Sequence, residues 1–113
     1  MSILIGRGTR VLVQGITGKE GTFWTQHMID LGTRVVAGVT PLKEGQFSCG
    51  VPVYHSVRSA LEAHPADASV LFVPPRMVLD AVMEALENGI RLVVVKVITD
   101  QPGLQIYSGQ GLK

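Results

Sequence analysis

Four runs of apolar residues, Val11 to Val13, Val35 to Val39, Val70 to Val73 and Leu92 to Val95, constrain this chain more than any other feature. They are continuous rather than alternating, as in strands buried on both faces of a parallel sheet. Parallel neighbours need long crossover connections, and the intervening segments have helical period. From Thr22 to Leu31, Trp24, Met28 and Leu31 share the face expected on the sheet, Thr22, Gln26 and Asp30 share another, and Gly32 is placed as the stop. Ser56 suits the N-cap of a helix reaching Ala63. From Arg76 to Asn88, Asp80, Glu84 and Glu87 oppose Val78, Val82, Ala85 and Leu86, and Gly89 follows. Val51-Pro52-Val53-Tyr54 reads as a short strand whose proline suits an edge. The order strand, helix, strand, strand, helix, strand, helix, strand predicts an α/β fold: a Rossmann-like, open, mostly parallel, doubly wound sheet of about five strands.

The first run feeds the stretch Gln14-Gly15-Ile16-Thr17-Gly18-Lys19-Glu20-Gly21-Thr22-Phe23. Its glycines permit a sharp turn and close backbone approach, and the following helix start points unpaired N–H groups and a positive dipole end at its occupant. An anion fits such a place. The spacing is G-x-x-G-x-x-G rather than the dinucleotide G-x-G-x-x-G, so the motif alone is equally consistent with strand-to-helix punctuation. Ligands of open α/β sheets sit beyond the carboxyl ends of the strands. There the chain delivers Thr17 to Glu20, then Thr40-Pro41-Leu42-Lys43, then Pro74-Pro75-Arg76, then Ile98-Thr99-Asp100. An NAD site wants a carboxylate after the second strand; here the charge is Lys43, which favours a phosphate on the ribose. NADP and coenzyme A both meet that condition. Arg76 and Lys96 each have the reach to meet an anion.

Composition narrows the field further. The 113 residues make one domain at most, and ten basic against nine acidic residues leave a net charge of +1 without a basic run. Nucleic-acid binding has little support. The single Cys49 precludes an intrachain disulfide or a cysteine metal cluster, and with no flanking positive charge it reads as an inert thiol. His27, His55 and His64 have no acid-base partner evident in sequence, so neither a catalytic residue nor a metal ligand is assigned. The start Met1-Ser2-Ile3-Leu4-Ile5 lacks the pattern of a signal peptide, and no apolar run approaches a membrane span, so a cytoplasmic protein is expected. The glycine-rich stretch from Gly103 to Lys113 shows no period and is expected to be a loop or docking tail.

At Gln14 to Phe23, Gly38-Val39-Thr40-Pro41 with Lys43, Gly50-Val51-Pro52-Val53, Val73-Pro74 and Gly89-Ile90, the chain resembles the alpha subunit of succinyl-CoA synthetase. The likeness runs from residue 2 to about residue 95 and covers that family's N-terminal CoA-binding domain. It implies that Thr17, Gly18, Lys19 and Glu20 border the CoA phosphates, that Pro41 and Lys43 approach the ADP end, and that Val73 and Pro74 flank the nucleotide. The segment Ile98-Thr99-Asp100 would lie along the pantetheine arm, and Lys96 just before it is a further candidate CoA contact. Residues 1–102 would be the CoA-binding domain and 103–113 the tail. Departures accompany the likeness. Glu20 stands where the family usually has glutamine, Leu42 and Glu44 replace small residues around Lys43, and Pro75-Arg76-Met77 replaces an Ala-Pro-Phe pattern. Val95 to Pro102 matches only with about two extra residues. The family's catalysis passes through a phosphorylated histidine in a second alpha-subunit domain, beside a beta subunit that grasps the nucleoside triphosphate, and no histidine here sits in a matching motif.

Three functions stay open on this reading. The chain is a CoA-binding module, or the CoA-binding subunit of a multi-chain ADP-forming acyl-CoA ligase whose partners carry the phosphohistidine and nucleotide-grasp domains, or a structural or regulatory remnant that has lost CoA. A homo-oligomer is compatible with each.

Overall fold

The computed structural model describes residues 8–97 and 103–108. Strands β1 (Arg10–Gln14), β2 (Arg34–Val39), β3 (Phe47–Ser48), β4 (Val51–Tyr54), β5 (Ala68–Leu71), β6 (Leu92–Val97) and β7 (Gly103–Ser108) form one sheet in the order β3-β4-β2-β1-β5-β6-β7. The run from β4 to β6 is parallel throughout, and the antiparallel β3 and β7 flank it. Helix α1 (Lys19–Asp30) joins β1 to β2, α2 (Val57–Ala63) joins β4 to β5, and a 3₁₀ turn (Pro75–Met77) leads into α3 (Val78–Glu87) before β6. The expected doubly wound α/β fold is therefore present.

The continuous apolar runs are explained by burial on both sides. Val11 and Val13 of β1, Val70 of β5 and Val94 of β6 face a core closed by Trp24, Met28 and Ile29 of α1. Leu12, Leu71, Val93 and Val95 point the other way, onto Val57 and Ala60 of α2 and Val82 and Ala85 of α3. Each fully buried leucine or valine is worth about 1.5–3 kcal/mol over the exposed state, so both layers are strongly specified. Below the sheet's amino edge, Asp67 receives the Arg10 backbone N–H at 2.9 Å and the guanidinium through Nε at 3.1 Å and Nη2 at 2.9 Å. Those bonds pull the Asp67 carboxyl down to about 2.

Helix ends follow local chemistry. Ser56 caps α2 by accepting the Ser59 N–H at 3.1 Å, and Gly32 and Gly89 take positive φ just past α1 and α3. Four sequence expectations are corrected. Helix α1 starts at Lys19 rather than Thr22 and ends at Asp30, so Leu31 leaves the helical face and is 74% exposed, while Gly21 and Thr25 are buried in its place. The segment from Arg76 opens as a 3₁₀ turn closed by the Met77 N–H on the Pro74 carbonyl at 2.8 Å, and α3 begins at Val78. The Pro52 strand is the edge of the parallel sheet, yet two-residue β3 covers it, pairing Phe47 with Pro52 and Ser48 with Val51. Finally, Gly103–Ser108 is a strand and not a loop: it pairs with the whole of β6 from Leu92↔Ser108 to Val97↔Gly103. An open edge of a parallel sheet offers unpaired backbone groups, and that long-range ladder outweighs the weak local signal of a glycine-rich stretch.

Candidate functional site

Strands β1 and β5 are neighbours, but their helices leave toward opposite faces of the sheet. The loops at their carboxyl ends diverge and open a cleft of about 330 Å³. Gly15, Thr17 and Gly18 form its floor, Thr40 and Pro41 one side, and Phe72, Val73 and Pro74 the other. Asp80, Ala81 and Glu84 of α3 close the wall. This is the switch-point crevice where open α/β sheets bind ligands.

The glycines in this loop have different jobs. Gly15 continues the ladder by donating its N–H to Val39 at 2.7 Å, and it does so at φ +83° with its Cα against the Phe72 carbonyl. A Cβ there would stand 2.3 Å from that oxygen. At Gly21 a Cβ would meet the Gly15 carbonyl oxygen at 2.0 Å, so α1 can press its first turn onto the loop only through glycine. Gly18 is unlike both. It sits at φ −70°, ψ 169°, exposed at the N-cap of α1, and its nearest obstacle to a Cβ is 3.7 Å away. The fold therefore does not demand glycine at Gly18, and its backbone is open to close approach from the cleft. Among the described residues no side chain caps α1, so the N-terminal N–H groups of this helix have no side-chain acceptor there.

Of the residues singled out in sequence, Thr17, Gly18, Pro41, Val73 and Pro74 come together on the cleft. Thr17 is tied to the second strand's loop, donating its hydroxyl to Thr40 Oγ1 at 3.1 Å and its N–H to the same atom at 3.4 Å. Lys19 and Lys43 lie beside the lining rather than in it, both exposed, and among the described residues neither ammonium has an ion-pair partner. Glu20 is turned along α1, where its carboxylate accepts the Trp24 Nε1–H at 3.0 Å. Lys96 packs over the same indole, 5.5 Å from the ring centroid, away from the cleft lining. Ile98 and Thr99 lie outside the described residues.

Sequence reasoning missed Gln14 and the α3 carboxylates. Gln14 is buried on the cleft floor, accepting the Ser69 hydroxyl at 2.6 Å and donating Nε2 to the Ala81 carbonyl at 3.1 Å, so it locks α3 to the central strands. A polar residue ending an apolar strand run was the available signal. Glu84 caps the start of α2 by accepting the Val57 N–H at 2.8 Å while also lining the cleft, and Asp80 stands one helical turn before it. Beyond the lining, the Glu44 carboxylate receives both the backbone N–H of His55, at 3.2 Å, and its ring Nδ1. Those His55 bonds hold the Glu44 carboxyl below its ordinary range. Among the described residues no cluster of three or more His, Cys, Asp or Glu side chains is placed to hold a metal, and no helix is long and apolar enough to cross a membrane.

The doubly wound sheet with a glycine loop at the switch point defines a domain of the Rossmann-like class. A Rex-family repressor solved with β-NADH shares the fold at a TM-score of 0.66, with 15% identity over 81% of this chain and 47% of that one. Dihydrodipicolinate reductase from Paenisporosarcina sp. TG-14 does so at 0.59, with 24% identity over 81% of this chain and 39% of that one. Within that class, the family described as the CoA binding domain matches residues 7–99, and the chain belongs to it. Its ligand is coenzyme A. The chain is 60% identical over 107 residues to a subunit of ADP-forming sulfoacetate-CoA ligase from Acholeplasma sp, and 55% identical over 107 residues to one from Bilophila wadsworthia. Both likenesses cover 95% of this chain and 35% of the relative. It is also 51% identical over 94 residues to succinate-CoA ligase alpha subunit 2 of Archaeoglobus fulgidus, covering 83% of this chain and 33% of the relative. The resemblance to succinyl-CoA synthetase alpha subunits is thus borne out, and the chain spans about a third of the length of these relatives.

Proposed function

We propose that this chain is the CoA-binding part of an ADP-forming acyl-CoA ligase. The ADP phosphates of CoA rest on the Thr17 to Glu20 turn at the start of α1, and its 3′-phosphate is met by Lys43. The observation that carries this reading is the charge after β2. Where a dinucleotide site holds a free carboxylate, Lys43 is unpaired among the described residues and the adjacent Glu44 is occupied by His55. A lysine ammonium beside loop amides suits a multiply charged phosphate ligand. Val73 and Pro74 offer the adenine an apolar wall. Activation of the acyl acid belongs to partner domains outside this chain.

The acyl acid proposed is sulfoacetate. Identity to the two sulfoacetate-CoA ligase subunits extends over 107 residues against 94 for the succinate-CoA ligase subunit, so the likeness continues through the part that departs from the succinyl-CoA synthetase pattern. Calorimetric titration of the chain with CoA, dephospho-CoA and NAD tests the nucleotide site. CoA is expected to bind about tenfold or more tightly than dephospho-CoA, the worth of a charge-assisted phosphate contact, and Lys43→Ala is expected to remove that preference. NAD binding as tight as CoA, or an unchanged preference in Lys43→Ala, overturns the assignment. In a ligase assembled with this chain, a higher kcat/KM for succinate than for sulfoacetate would refute the acyl assignment.

A further inference from the structure

The loop between β2 and β3 carries both Pro41, on the cleft, and Lys43, just beyond it. Backbone bonds tie it to its neighbours at its two ends, Thr40 N–H to Tyr54 at 3.0 Å at the start and Gly45 N–H to Val53 at 3.1 Å with Val53 N–H to Gln46 at 2.9 Å at the finish, while Lys43 makes only turn bonds within the loop, its N–H to Thr40 at 3.2 Å and its carbonyl to the Gln46 N–H at 3.3 Å. Between these ties lies an exposed tip, with Leu42 at φ 68° and 96% exposed. A non-glycine residue held at positive φ needs its surroundings to keep it there. The side-chain bonds from this tip to the body of the domain, among the described residues, both run from Glu44 to His55: one to its backbone N–H and one to its ring Nδ1, the one a side-chain change at His55 removes. Both partners are about half exposed, at 49% and 59%. An exposed pair contributes little to global stability, but it can decide the conformation of the few residues between its anchors.

We propose that Glu44 and His55 form a latch that positions the Lys43 loop, and so set how strongly the chain prefers a 3′-phosphorylated nucleotide over its dephosphorylated form. The proposal rests on the reading of Lys43 as the 3′-phosphate contact. A loop already ordered loses less conformational freedom when the phosphate arrives. The latch also occupies a carboxylate that, one residue from Lys43, would otherwise swing free and repel the phosphate. Both effects act in the same direction on the 3′-phosphate and leave the rest of the nucleotide untouched. His55 is therefore a positioning residue.

The test is the ratio of dephospho-CoA to CoA dissociation constants for the 113-residue chain, measured by calorimetry near pH 8, where the 3′-phosphate is doubly charged. His55→Ala is expected to lower the ratio about threefold to tenfold, the worth of one lost hydrogen bond. Dephospho-CoA affinity and Tm should stay as in the unmodified chain. His55→Asn places an amide N–H close to where Nδ1 stands and is expected to restore most of the ratio. An unchanged ratio in His55→Ala, or His55→Asn behaving like His55→Ala, overturns the latch. Lys43→Ala run alongside separates the two failures: if it abolishes the ratio while His55→Ala does not, the phosphate contact stands and the latch alone falls. If Lys43→Ala leaves the ratio intact, both fall.

Discussion

Replacing Gly21 with alanine should damage the fold, whereas the same change at Gly18 should damage only ligand binding. Gly21 is buried in the first turn of α1, and a Cβ would stand 2.0 Å from the Gly15 carbonyl oxygen and 3.0 Å from Gly15 C and Ile16 Cα. All three are backbone atoms of a loop pinned to β2 by the 2.7 Å bond from Gly15 N–H to Val39. No rotamer change relieves the contact, so α1 has to move off the loop by roughly 1 Å or more to regain van der Waals separation. Overpacking costs about 1–3 kcal/mol and lies at the upper end against rigid backbone, while alanine regains about 1 kcal/mol of helix propensity. The net expectation is about 2 kcal/mol, or about 8 °C in Tm for a domain of this size. At Gly18 the backbone is in an ordinary extended region and only Gly15 O, at 3.7 Å, approaches the new methyl. Gly18→Ala should cost less than about 1 kcal/mol as an N-cap change. Its methyl would occupy the space a phosphate needs, lowering CoA affinity about tenfold. Thermal unfolding by circular dichroism, with urea titration for the free energy and calorimetry for CoA, reads both. A Gly21→Ala chain melting with the unmodified one, or a Gly18→Ala chain as destabilised as Gly21→Ala, would refute the division between a glycine the fold needs and a glycine the ligand needs.

Two further outcomes follow from the polar contacts. With the Asp67 carboxyl at about 2 when folded and about 3.9 when unfolded, its stabilising effect is complete above about pH 4 and lost as the pH falls toward 2. Because the pair is 38% and 44% exposed, solvent screening limits it, and Asp67→Asn should cost about 0.5–1 kcal/mol at pH 7, a gap in Tm that closes by about pH 2. A gap that persists at pH 2 would contradict the ionic origin of the effect. Ser69→Ala leaves the buried Gln14 Oε1 without its 2.6 Å donor and should cost about 1–3 kcal/mol, measured by urea unfolding. Combined with Gln14→Leu, the loss should fall short of the sum of the single changes; full additivity would argue against one shared network.

The doubly wound topology was legible because four of its five parallel strands are continuous apolar runs and α1 and α3 each carry a local period and a glycine stop. Those signals act over three or four residues, and the chain's own composition states them: Ser56 caps, Gly32 stops, Val82 and Ala85 face inward. The glycine loop and the lysine after β2 were equally readable, since steric freedom at Gly15 and charge at Lys43 are properties of single residues. Tertiary structure alone decided which residues meet. Arg10 and Asp67 are 57 positions apart, Gln14 and Ala81 are 67 apart, and Glu44 reaches His55 across a hairpin whose β3 had no sequence signal. The same holds for β7, which forms because β6 leaves an edge to be paired. Asp80 and Glu84 were legible only as the polar face of a helix, and they wall the cleft because the direction in which α3 leaves β5 is set by packing on Leu71 and Val95. Local sequence determines the elements by sterics and period; long-range burial decides their partners, and the cleft exists only after those partners have met.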